Sequence, residues 1–147
     1  MNHDSALTRW TISWAAFAIA LGLHVVDEAI TGFLPFYNSV VGLLRERHPW
    51  VPLPTFTFSV WMGGLTVLVV ALLALTPLTL RGYKWLRVTS YILGVTMIVN
   101  AIGHVTASVW LRDFAPGVYS SPVLLVAATA LLITTAQSRD HDVQRGA

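Results

Sequence analysis

Apolar residues dominate four long stretches of this chain, and polar residues collect between them. The first stretch runs from about Trp10 to Ile30 and the second from about Phe56 to Leu75, stopping before Pro77. The third runs from about Trp85 to Leu111 and the fourth from about Pro122 to Ala136. A helix needs about 20 mostly apolar residues to cross a bilayer, and these stretches meet or approach that length. The pattern predicts an all-α, four-helix transmembrane bundle forming one domain over residues 1–147. Proline at the start of the fourth stretch suits a helix entry, where its missing N–H costs nothing. No internal repeat and no low-complexity segment interrupts this organisation.

The connection between the first two stretches is long. Its segment PFYNSVVGLLRERHP has the makings of a short interfacial helix, with Asn38 or Ser39 as cap, Val40, Val41, Leu43 and Leu44 as apolar face and Pro49 as terminator. An ordered loop resting on the mouth of the bundle is the competing expectation. WVPLPTF then reads as an extended lead-in, because a residue before proline avoids the helical region.

Composition agrees with the pattern. Of 147 residues, 55% are hydrophobic and 11% charged, against about 25% charged in soluble domains. Mean hydropathy is +0.66. The net charge of +2 therefore describes membrane loops and not a nucleic-acid-binding surface. Alternating crossings put Arg9, Arg81, Lys84, Arg87, Arg139 and Arg145 on one side, and Arg45, Arg47 and Arg112 on the other. The cation-rich side is expected to be cytoplasmic, with both termini in it and the chain in a plasma (inner) membrane. Trp10 and Trp85 are expected at one interface, Trp50 and Trp110 at the other. Ala18-Ile19-Ala20 resembles a signal-peptide cleavage box, but hydrophobicity continues past it, so the first stretch is expected to remain as a membrane helix. The chain has no cysteine, which removes disulfides, thiol catalysis and thiolate metal sites from consideration.

The chemistry-bearing residues interrupt the apolar runs in two places. In LGLHVVDEAI, His24 has Asp27 and Glu28 one helical turn on; in VNAIGHV, Asn100 and His104 are also one turn apart. Residues three or four apart share a helix face. The two segments lie on parallel helices, roughly 20 Å from the cytoplasmic ends at about 1.5 Å per residue. Ionisable groups at such depth normally face a bundle interior and pair, because leaving one unpaired in lipid costs about 2.5–3.5 kcal/mol or more. His24, Asp27, Glu28, Asn100 and His104 are thus the candidate catalytic residues. Structural readings compete: Asp27 and Glu28 as a helix end meeting water, His24 and Asn100 as interhelical hydrogen-bond partners.

His24-Val-Val-Asp27-Glu28, then Asn100-x-x-x-His104, then Phe114-Ala-Pro116-Gly117, resembles a family of small bacterial membrane proteins named for an HxxEE motif. The resemblance implies a four-helix membrane domain that pairs the first motif with a later Asn…His helix and an aromatic-x-Pro-Gly turn. It supplies no reaction. Asp27 stands where the family name has glutamate, which keeps the carboxylate and shortens its reach.

Two imidazoles and a carboxylate make His24, Glu28 and His104 a candidate metal set, for zinc with water in the fourth position or for non-haem iron with open positions. Metal-free acid–base catalysis on a lipophilic substrate, of isomerase, cyclase or hydrolase type, is the alternative chemistry. Pro116, Gly117, Ser120 and Ser121 fall on the same side and are candidates to cover the site or touch substrate. Two further functions compete with an enzyme. A proton or ion relay would need a polar path, and the cytoplasmic halves offer only Ser13, Thr66, Thr89, Ser90 and Thr96. A non-catalytic partner or assembly protein would use Gly63, Gly64, Gly94 and Gly103 for close helix contacts. His3, His48 and His141 receive no role.

Overall fold

The structure, a computed structural model, describes the backbone of residues 3–146 and the side chains of residues 5–139. The side chains of His3, His141 and Arg145 lie outside the described residues. The order of elements is α1 (His3–Thr31), α2 (Phe33–Arg47), α3 (Phe58–Thr79), α4 (Lys84–Leu111) and α5 (Ser121–Gly146). Four of these, over Ser5–Thr31, Phe58–Thr79, Lys84–Leu111 and Ser121–Arg139, are long and apolar enough to cross a membrane. The architecture is an all-α bundle, compatible with a multi-pass membrane protein.

α1 is the centre of the bundle. It packs on α3 along one side and on α5 along another, while α4 packs chiefly on α5. Some 44% of the most apolar part of α1 is buried, against 6% for α3, which presents most of its surface outward. The core consists of Trp10, Trp14, Phe17, Ala18, Leu21 and Val25 of α1 against Leu72, Leu86, Leu124, Ala128 and Leu131. The two core indoles each find an acceptor, as buried Trp N–H groups must. Trp14 Nε1 donates to the Leu72 carbonyl at 2.8 Å, and Trp10 Nε1 to Ser90 Oγ at 3.1 Å.

Several expectations are corrected. Trp10 is wholly buried instead of sitting in an aromatic belt, because Ser90 satisfies its N–H inside the bundle; Trp85, Trp50 and Trp110 are exposed. Arg87 belongs to the first turn of α4 and is buried, with its guanidinium 5.6 Å from the Trp10 ring. α3 does not stop before Pro77 but runs through it to Thr79. Pro77 lies in the last turn, so the ladder bond it removes is a terminal one. Thr79, fully buried and 2.7 Å from Thr11 Oγ1, holds that turn to α1. Of the four glycines, Gly94 makes a close contact within the bundle, where a Cβ would stand 2.6 Å from Leu132 Cδ2, whereas at Gly63, Gly64 and Gly103 nothing of the same chain lies within 4 Å of one.

A helix is present in the connection but starts earlier than its expected caps. It follows α1 after the left-handed Gly32 (φ 80°), and Asn38 and Ser39 are interior to it. Asn38 is drawn away from capping by a two-way hydrogen bond with Phe56, donating to its carbonyl at 2.9 Å and accepting its N–H at 3.2 Å. Tyr37 donates to the Pro54 carbonyl at 3.0 Å, and Arg45 to the Leu53 carbonyl. These contacts tie α2 to the extended segment leading into α3, where Thr57 accepts the Val60 N–H as N-cap.

Candidate functional site

Four elements converge where α1 and α4 end and α5 begins. His24 and Glu28 sit one turn apart near the C-terminus of α1, and His104 lies one turn after Asn100 on α4. His24, Glu28 and His104 are buried, at 2%, 5% and 7% exposure. Glu28 Oε1 stands between the imidazoles, 3.1 Å from His104 Nε2 and 3.4 Å from His24 Nε2. The imidazole rings meet edge to face with centroids 5.0 Å apart. One donor atom from each residue lies within 4.8 Å of the other two.

The hydrogen bonding assigns a direction to His24. Asp27 Oδ2 accepts from both the Ser120 backbone N–H at 2.8 Å and the Ser120 hydroxyl at 2.6 Å. With its proton given to the carboxylate, Ser120 Oγ accepts from His24 Nδ1, 2.8 Å away. A neutral His24 then turns the lone pair of Nε2 toward the Glu28 carboxylate, where Nε2 has no hydrogen-bond partner, whereas a protonated one forms an ion pair with Glu28 across the same 3.4 Å. Two lone pairs facing each other across 3.4 Å in a buried site repel unless a cation or proton lies between them. A ligating histidine characteristically donates its other ring nitrogen to such an outer carboxylate or hydroxyl. Zinc binds imidazole nitrogen at about 2.0–2.1 Å, so the donors of a tetrahedral site stand about 3.3 Å apart. Two of the three edges, 3.1 and 3.4 Å from Glu28 to the two histidines, are near that spacing, and the shorter is equally a direct hydrogen bond between His104 Nε2 and Glu28.

The loop after α4 closes over this cluster. α4 ends on Arg112 in the left-handed region (φ 54°), with the Asp113 N–H reaching back to the Ser108 carbonyl at 3.2 Å. Ser108 Oγ donates to the His104 carbonyl and accepts the Ala115 N–H, both at 2.9 Å. Thr31 Oγ1 donates to the Asp27 carbonyl at 2.6 Å and accepts the Gly117 N–H at 3.0 Å. Gly117 is held with φ 83°, and Ser121 Oγ donates to its carbonyl at 2.8 Å. A Cβ on Gly117 would stand 2.8 Å from His104 Cε1 and 3.0 Å from Glu28 Cγ. Gly117→Ala is therefore expected to combine a left-handed-backbone penalty of about 1–2 kcal/mol with displacement of His104. The thermal transition of the detergent-solubilised protein should fall by roughly 5 °C. An unchanged transition would show that the turn does not press on the cluster.

The residues expected from the sequence thus fall into separate places. His24, Glu28 and His104 meet. Asp27 shares their helix but reaches across to the start of α5. Asn100 Oδ1 is buried without a hydrogen-bond partner, and the residue lines, together with His24 and Glu28, a cavity of about 180 Å³. Ser120 binds between His24 and Asp27, Ser121 holds the loop backbone, and Gly117 presses on His104. Pro116 is the second residue of the Ala115–Val118 turn, closed by the Val118 N–H on the Ala115 carbonyl at 3.2 Å, and is half-buried. Serine occupies the middle of the Asp27–Ser120–His24 chain, so the order nucleophile–base–carboxylate of a serine hydrolase is not formed. Thr31, Ser108 and Phe33 were missed. Thr31 and Ser108 extend the two polar stripes by one turn beyond Asp27 and His104, a signal present in the sequence. Phe33, whose ring stands 5.5 Å from His104, arrives through the bend at Gly32 and carried no such signal.

A helical bundle with four membrane-length helices and a buried His–Glu–His cluster at one end defines the class of this protein. Residues 14–132 match the model of the family described as proteins of unknown function with an HXXEE motif, and the chain belongs to that family. Comparison with curated proteins and with solved structures gives no match.

Proposed function

We propose that the chain is a small integral-membrane enzyme whose reaction centre is a divalent metal, zinc or iron, held by His24 Nε2, Glu28 and His104 Nε2. The observation that carries this reading is the unpartnered Nε2 of His24, buried and aimed at a carboxylate that a second histidine also faces. Bound there, such an ion would polarise a carbonyl or activate a water for hydrolytic or isomerising chemistry. The chain's own groups supply the rest: Asp27 and Ser120 orient His24, and the Gly117 turn excludes water. A metal-free acid–base centre is the second reading, favoured by the Glu28–His24–Ser120–Asp27 chain as a proton path.

The charge distribution along the chain supports an orientation in the bacterial plasma membrane with both termini cytoplasmic and the cluster near the outer face. Elemental analysis of protein purified without chelator distinguishes the two readings. About one metal ion per chain is expected, falling to background in His24→Ala. Metal-replete wild type with no bound ion would overturn the metal reading and leave the acid–base one.

A further inference from the structure

The cavity beside the cluster shows what reaches it. Its walls come from α1 (Leu21, His24, Glu28), from Phe33 of α2, from Trp61 and Leu65 of α3, and from Met97 and Asn100 of α4. Phe33 is tied through Tyr37 and Phe56 stacking to the lead-in of α3, and the Gly117 turn packs on His104 and Glu28 beside the cavity. The α1–α5 and α5–α4 sides are closed by extensive packing; α3 and α4 are not packed on each other in that way. The seam between α3 and α4, two helices apolar enough to cross a membrane, is thus a side of the cavity without such packing.

We infer that the ligand of this site is a membrane-dissolved amphiphile with a hydroxyl head, entering sideways between α3 and α4, its head received by Asn100 and its chain left in the bilayer. This rests on reading the His24–Glu28–His104 cluster as a reaction centre. Beyond the atoms of the proposed reaction centre, one unpartnered acceptor borders the cavity, Asn100 Oδ1, and it calls for a hydrogen-bond donor. No lysine or arginine lines the cavity, and Glu28 does, which disfavours a phosphate head. At about 180 Å³ the space is smaller than the roughly 300–1,000 Å³ of pockets that enclose a whole ligand. It holds a head group and the first few carbons, and Phe33, Trp61, Leu65 and Met97 give those carbons an apolar wall.

The test uses the full chain in phosphatidylcholine vesicles with hexadecanol carrying a diazirine near its hydroxyl. Irradiation is expected to label the peptides holding Leu65 and Met97. Excess hexadecanol should suppress that labelling, and hexadecyl phosphate should not. Met97→Trp fills the cavity and should abolish the competable labelling; Asn100→Leu should weaken hexadecanol competition about tenfold, the effect of one lost hydrogen bond to a buried group. Metal content measured on the same samples separates the two proposals. Competable labelling in protein without metal would sustain lateral entry and remove the metal. Labelling spread over the exposed Val67, Val70, Val95 and Val99 faces, indifferent to competitor and to Met97→Trp, would overturn lateral entry whatever the metal content. Should Met97→Trp fail to fold, Leu65→Phe narrows the same space from α3 and should lower the competable fraction.

Discussion

Glu28→Gln is expected to weaken metal binding at least about a hundredfold while leaving the bundle folded. Glu28 Oε1 lies within 3.4 Å of both Nε2 atoms, so it is the shared vertex of the cluster. Glutamine keeps its volume and removes its charge. Structural zinc sites with four ligands bind with about 10–16 kcal/mol, about 3 kcal/mol for each ligand, and 1.4 kcal/mol is a factor of ten. The core that holds α1 in place, from Leu7 to Val25, ends before Glu28 and does not depend on it. Competition with a chromophoric chelator measures the affinity, and far-ultraviolet circular dichroism the helices. Because a ligand that binds only the folded state raises its stability, chelator-stripped wild type should melt close to the variant. Full metal retention in Glu28→Gln would remove Glu28 from the ligand set. A loss of helix matching the loss of metal would make Glu28 a structural residue.

The four long helices were legible because apolar length is a coarse signal that lipid enforces on every residue of a span. The ends were less so, since they depend on contacts far away in the chain. Pro77 reads as a stop only until Thr79 is seen held against Thr11. Asn38 reads as a cap until Phe56, eighteen residues on, takes both of its hydrogen bonds. Trp10 reads as an interfacial anchor until Ser90 is found opposite its N–H.

The site followed the same division. Helical spacing was enough to put His24 and Glu28 on one face and to set them level with His104. It could not separate Asp27 from Glu28, adjacent carboxylates about 100° apart around a helix of 3.6 residues per turn. That angle sends Glu28 to α4 and Asp27 to α5, so the two acids have different partners and different work. Nor could spacing place the loop between α4 and α5, whose path is set by Ser108, Thr31 and the positive φ of Gly117.

Asp27 carries the second large effect. Its carboxylate hydrogen-bonds Ser120 and none of the three proposed ligands, and it acts through Ser120, whose Oγ receives His24 Nδ1–H only while its own proton is held by Asp27 Oδ2. Partners of this kind typically contribute 10–100-fold to metal affinity, so Asp27→Ala is expected to weaken binding roughly tenfold to a hundredfold. Ser120→Ala should do nearly the same, since either change frees the His24 ring to rotate and to exchange tautomers. The double variant should bind no more weakly than the worse single one, because one chain is broken once; independent contributions would multiply. Ser120→Thr keeps a hydroxyl at the same, half-buried position and should restore most of the affinity. Additive losses in the cycle, or no rescue by threonine in a protein that melts like wild type, would make the Asp27–Ser120 contact a cap for the start of α5 and nothing more. The shorter carboxylate fits the positioning role: Asp27 already reaches both the backbone N–H and the hydroxyl of Ser120 at 2.8 and 2.6 Å, and one more methylene, as in Asp27→Glu, would push its oxygens into the N-terminal turn of α5.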